Sequence, residues 1–136
     1  MMGKLGQRLK DASRSGVYRL TDTAAALEAT REAGLDAARI DAAHDAPASI
    51  ARELGFPAWF GGNWDALEDC LGDLSWRPAP GHVLLFERFP RGDELAMLID
   101  VLRSSAGFWA QRGRPFFALF ADPGRELELP DLYREA

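Results

Sequence analysis

Residues 61–75 read "GGNWDALEDCLGDLS" and hold four acidic side chains, Asp65, Glu68, Asp69 and Asp73, without a single Lys or Arg. Asn63 is a good N-cap, because its side-chain oxygen can accept from an otherwise unpaired N–H of a first helical turn. A helix is therefore expected from Asn63 to about Leu74. At 100° per residue, Trp64, Leu67, Leu71 and Leu74 line the side that docks on a core. Asp65, Asp69 and Asp73 stack at four-residue spacing on another side, with Glu68 beside them. Like charges at this spacing destabilise a helix by about 0.2–0.5 kcal/mol per pair. The helix dipole favours Asp65, does little for Asp69 and penalises Asp73 near the C-terminus. Helix stability therefore does not account for the stripe. A solvated acidic face is the bland reading. Against it stands the loop just before the helix, where Trp59 and Phe60 adjoin Gly61 and Gly62. Trp59 is expected to point outward and Phe60 inward. Aromatics beside uncompensated charge have the composition of a protein-binding surface.

The charge balance of the whole chain agrees. There are 21 acidic and 16 basic residues, net −5. Because residues 61–75 hold four of the acids and none of the bases, the rest of the chain is close to neutral. A nucleic-acid binder shows the reverse, a basic patch; a cationic partner fits better. The 136 residues suit one domain, and 47% apolar residues suffice for a core. No apolar run reaches the roughly 20 residues of a membrane span. The opening "MMGKLGQRLKDASRSG" has no apolar signal-peptide core. The lone Cys70 cannot pair within the chain, so a reducing cytoplasm is the expected compartment. No pattern supports a thiol pair of Cys70 with His44 or His82, and two His with one Cys are too few for a zinc site. Neither a cofactor nor a metal is expected.

The remaining apolar segments alternate between strand and helix signatures. Short strands are expected at 17–20 and 37–43, and a helix between them, ended by Gly34. Pro47 opens and Gly55 closes a second helix. "HVLLFERF" at 82–89 and "PFFALFA" at 115–121 are near-continuous apolar runs, the mark of parallel strands buried on both faces. Between them, Leu95, Leu98, Ile99, Leu102, Ala106 and Trp109 form one stripe of a long helix over 93–112, with Asp93 as its cap and Gly113 as its end. The order is β-α-β-α-α-β-α-β, an α/β fold with a parallel sheet and right-handed crossovers. Residues 1–16 read as a flexible tail, 17–121 as one domain, and 122–136 as a C-terminal surface tail.

The run "FPAWFGGNWDALEDCLGD" also resembles the core motif of the barstar family, intracellular inhibitors of the secreted ribonuclease barnase. The match lies at Pro57, Trp59, Phe60, Gly61, Asn63, Asp65, Ala66, Leu67, Asp69, Cys70 and Leu71. The flanking order agrees over residues 37–121, so that the strand and helix at 17–33 look like an extra N-terminal unit. The resemblance implies a small parallel sheet covered by helices. It also implies that the acidic helix and the loop before it plug a ribonuclease active site, their carboxylates taking the places of RNA phosphates. Asp65 and Asp69 become charged anchors, Trp59 replaces a stacking Tyr, and Gly61 and Asn63 supply backbone and polar contacts. The family pattern carries Trp where this chain has Glu68, and Thr-Gly-Trp where it has Gly72, Asp73 and Leu74. Glu68, Gly72 and Asp73 thus form an altered rim to the same surface.

The resulting expectation is a non-enzymatic, stoichiometric inhibitor of a bacterial ribonuclease, of antitoxin or immunity type. Its target is a basic, extracellular-type ribonuclease or another cationic toxin. The chain is expected to be a monomer alone and a 1:1 heterodimer with its target, with no nucleic-acid or membrane partner. The alternatives are a barstar-like interaction module with a non-ribonuclease partner, and an enzyme using Asp65, Glu68 and Asp69 as paired carboxylates or a divalent-metal site. The enzyme reading lacks a supporting His, a pocket signal and a phosphate loop.

Overall fold

Two strands form the middle of the structure, β3 (His82–Arg88) and β4 (Phe116–Ala121). Every residue from His82 to Phe86 and from Phe116 to Phe120 is buried. Side chains alternate between the faces of a sheet, so these strands need a cover on both sides. The computed structural model, which describes residues 3–133, supplies two. β1 (Gly16–Leu20) and β2 (Asp36–Asp41) flank the central pair in a four-stranded parallel sheet of order β1-β4-β3-β2.

One face carries Leu84, Phe86, Phe116, Ala118 and Phe120. It packs against Ile50 and Leu54 of α3 (Ala46–Leu54), Leu67 and Leu71 of α4 (Trp64–Leu71), and Leu98 and Leu102 of α5 (Gly92–Ala110). The other face carries Val83, Leu85, Phe117 and Leu119. It packs against Leu9 of α1 (Lys4–Leu9), Ala26 and Ala29 of α2 (Thr23–Glu32), and Leu132. The connectivity explains this division. From β2 to β3 to β4 the chain steps one strand at a time in one direction, with α3, α4 and α5 above the first face. From β1 to β2 it crosses the whole sheet in the opposite direction. With crossover handedness held constant, reversing direction puts the connecting helix α2 on the opposite face. The α/β fold and its extra N-terminal strand and helix are as the sequence indicates.

Local chemistry sets the helix ends. Asp22 caps α2 by accepting from the Ala25 N–H at 3.0 Å. Asp45 does the same for α3 at 3.2 Å, and Gly55 closes that helix at φ +64°, a left-handed conformation that favours glycine. Asp93 does not cap α5: the N-cap is Arg91, without a side-chain bond, and Asp93 lies inside the first turn beside Glu94, where its charge faces the positive end of the dipole.

The two tails depart most from expectation. Residues 4–9 form α1 and residues 12–14 a short 3-10 turn, and Leu9 is fully buried. The physical reason is the second sheet face: Val83, Leu85, Phe117 and Leu119 need cover, and Leu5 and Leu9, one helical turn apart, help to give it. At the other end, Arg19 of β1 takes Pro130 O at 2.9 Å and is itself taken by the Leu132 N–H at 3.0 Å. Asp131 pairs with Arg19 and Arg125, so residues 130–132 are fastened along the β1 edge. The rest of this segment, to Tyr133, forms turns and bends without a helix, and residues 134–136 lie outside the described part.

Leu9→Ala is expected to lower the unfolding free energy by about 2–5 kcal/mol, as for other fully buried leucines. A urea midpoint unchanged by this substitution would return residues 1–16 to a tail.

Candidate functional site

α4 docks through Leu67, Cys70 and Leu71, all fully buried, with Trp64 half-buried beside them. Asn63 caps it as expected, its Oδ1 accepting from the Ala66 N–H at 2.7 Å. With that face inward, Asp65, Glu68 and Asp69 point to solvent. Among the described residues no ion pair engages any of them or Asp73, and no three His, Cys, Asp or Glu side chains stand close enough to hold a metal ion.

The helix ends earlier than the sequence suggests, at Leu71 rather than near Leu74. Leu74 is still buried, but it reaches the core from a turn at φ +54°. The stop is fixed from outside: the Trp109 indole Nε1 of α5 donates to Leu71 O at 2.8 Å, satisfying a carbonyl the helix leaves open. Asp73 is therefore not on the helical stripe. Its carboxylate turns back to accept from the Ser75 N–H at 3.2 Å. Asp65 and Asp69 remain the one four-residue pair, with Glu68 alongside. Gly72 packs near Phe108, and a Cβ added there would lie 3.9 Å from Phe108 Cε2, an ordinary contact.

The preceding loop divides its aromatics as expected. Trp59 is 64% exposed, whereas Phe60 packs on the core. Gly62 sits at φ +78°, so the approach to Asn63 needs a residue at ease in the left-handed region; Gly61 does not share that requirement. Trp59, Gly61, Asn63, Asp65, Glu68 and Asp69 are all exposed, as is Asp73 beyond the helix, whereas Gly72 is half-buried.

The Barstar (barnase inhibitor) family model matches residues 30–121. The chain belongs to the barstar family. Neither the curated proteins nor the solved structures contain a match to it. The barstar match begins inside α2 and stops at the end of β4, so α1, β1 and the fastened C-terminal segment lie outside it. The acidic helix and its loop lie wholly inside.

Within the barstar region the structure also assembles a group that spacing in the sequence does not reveal. Asp36, at the start of β2, accepts two bonds from Arg77, at 2.5 and 3.1 Å, and a third from His82 Nδ1 at 3.0 Å. Arg77 also donates to Glu53 O at 3.3 Å. The cluster ties the loop after α4 to the sheet and to the end of α3. The lone Arg in "LSWRPAP" is the one visible hint, a loop cation set between Trp76 and Pro78. Burial pushes the Asp36 carboxyl up, but the bonds from Arg77 and His82 prevail and hold it below its ordinary 3.8. Burial pushes His82 below its ordinary 6.5, and outweighs the pull of Asp36. The imidazole is therefore neutral and donates from Nδ1. Cys70 is no partner for it: burial, then Asp69 and Asp73, raise the thiol above its ordinary range, which makes it a poor nucleophile.

Both depressed values act on stability in the same sense. A group whose folded pKa lies below the unfolded one stabilises fully above the unfolded pKa and loses that contribution as pH falls through the folded pKa. Urea unfolding should show stability declining below about pH 6.5 through His82, and again below about 3.8 through Asp36. His82→Asn should flatten the upper of these two declines. A midpoint independent of pH between 7 and 5 would show that His82 stays accessible to protons in the folded chain.

Proposed function

We propose that the chain is a stoichiometric inhibitor of a bacterial ribonuclease, of antitoxin or immunity type, that inserts α4 and the loop before it into a cationic active site. The observation that carries this reading is the pairing of an exposed Trp59 with Asp65, Glu68 and Asp69, carboxylates with no ion pair among the described residues, on a chain of the barstar family. An RNA-cleaving site that binds phosphates through Arg, Lys and His offers the complementary charge. Asp65 and Asp69 act as the anchors, one turn apart on the same helix face. Trp59 supplies the buried aromatic contact, Gly61 and Asn63 the close backbone approach, and Glu68, Gly72 and Asp73 the rim. The target is a basic, extracellular-type ribonuclease, bound 1:1 by a monomer in the bacterial cytoplasm. Nothing in this scheme requires catalysis by the chain itself.

A second reading keeps the surface and changes the target. Glu68 and Asp73 make the rim more acidic than the family pattern, which suits a different cationic toxin as the partner.

Asp69→Ala separates the binding role from a structural one, because the two predict opposite signs. In the free chain it removes the Asp65–Asp69 repulsion and installs a better helix former. Stability should rise by about 0.5–1 kcal/mol. In the complex it leaves the enzyme's cations buried without their counter-charge, at a cost of about 2 kcal/mol or more. Urea unfolding and titration calorimetry against purified basic, guanyl-specific ribonucleases measure both on one preparation. Stability falling by more than about 1 kcal/mol would make Asp69 a brace of the fold.

Association should also slow as ionic strength rises from low to physiological, because the clustered acids steer the encounter. A salt-independent rate in stopped flow would remove the steering claim.

A further inference from the structure

An exposed tryptophan on a loop between a proline and two glycines should sample several orientations, and fixing it on binding costs affinity. Trp59 is not left free in this way. Its ring meets Trp76 edge to face, with centroids 6.5 Å apart and planes at 90°. Trp76 meets Phe56 at 5.6 Å and 80°, and Phe56 meets Phe60 at 5.1 Å and 75°. The four rings form a ladder that rises from the core to the exposed indole, in the perpendicular geometry that aromatic quadrupoles favour.

Trp76 is itself held in place. Its Nε1 donates to Leu54 O at 3.1 Å, at the end of α3. The next residue, Arg77, grips Asp36 with two bonds and takes Glu53 O with a third. Two residues before Trp76, Leu74 is buried in the core. The segment 74–77 is thus tied to α3, to β2 and to the core, while the Trp76 ring stands perpendicular to that of Trp59.

We propose that Trp76 is a positioning residue for that surface, a pedestal that holds Trp59 in one orientation before the partner arrives. The inference rests on the proposed function only in placing Trp59 at the interface; the restraint on Trp59 is a property of the free chain. Trp76 touches no partner atom in this scheme. Its effect on binding passes through Trp59, and the two substitutions must therefore be coupled.

The test has two arms. In the first, affinity for a purified basic, guanyl-specific ribonuclease is measured in a double-mutant cycle. Trp76→Leu should weaken binding about tenfold, and in a Trp59→Ala background less than about twofold, the non-additivity expected of contacting residues. Trp76→Phe keeps a ring under Trp59 and should restore most of the affinity. Equal losses in both backgrounds would mean that Trp76 merely supports the fold, and would overturn the proposal.

The second arm needs no partner. In the 5-fluorotryptophan-labelled chain, the Trp59 fluorine signal is assigned by its loss in Trp59→Phe. Trp76→Leu should give it the relaxation of a fast-moving side chain, and Trp76→Phe should not. Unchanged relaxation on Trp76→Leu would overturn the pedestal. A native chain that binds no ribonuclease would count against the proposed function alone, and the fluorine arm would still decide the role of Trp76.

Discussion

Everything in this molecule follows from two strands that cannot be left half covered. β3 and β4 present large apolar side chains to both sides, with Phe86, Phe116 and Phe120 on one face and Phe117, Leu85 and Leu119 on the other. Exposing either face would leave several hundred square ångströms of apolar surface in water, at about 25 cal/mol for each square ångström. The barstar-matched region supplies one cover, from α3, α4 and α5. Most of the second cover, Leu9, Ala26, Ala29 and Leu132, lies outside that match. The N-terminal unit and the C-terminal segment are therefore part of the same core, on the face away from the acidic helix.

That separation leaves the outer side of α4 uncovered. Its inward residues are fixed by the core, and its length by Trp109 and Leu74. What remains outside, Asp65, Glu68 and Asp69, is exposed and makes no ion pair among the described residues. A surface optimised for the free chain would put Lys or Arg one turn from such acids. The absence of such a partner is a local cost to the free chain, of the kind that functional surfaces carry.

Much of this was legible in the sequence because the signals were local. Asn63 before an apolar-periodic run marks a cap, and the runs at 82–89 and 115–121 mark strands buried twice over. The loop glycines and prolines marked most boundaries within two or three residues. What could not be read depended on distant neighbours. α1 has only Leu5, Gly6 and Leu9 to bury, too short a stripe to announce a helix without the sheet face it meets. The end of α4 is set by an indole from α5, and so the stripe lost Asp73. The Asp36–Arg77–His82 cluster joins residues more than forty positions apart whose spacing carries no pattern. Trp76 likewise looks like one more loop aromatic until the ring beneath it and the ring above it are both in view.

The place of β1 in the sheet has a consequence for how the protein is made. β1 pairs with β4, Gly16 opposite Phe117, across about 100 residues of intervening chain, and its outer edge is closed by residues 130–132. On a ribosome β1 emerges before β4 and Pro130, and so it finds neither neighbour until about 100 further residues have been synthesised. Non-local pairing of this kind delays folding, because the loop must close before any contact rewards it. The strand-helix-strand units that follow β2 need only their own sequence and can assemble first. Until β4 is made, the nascent chain carries β1 as an orphan strand, an interval in which a chaperone has something to hold.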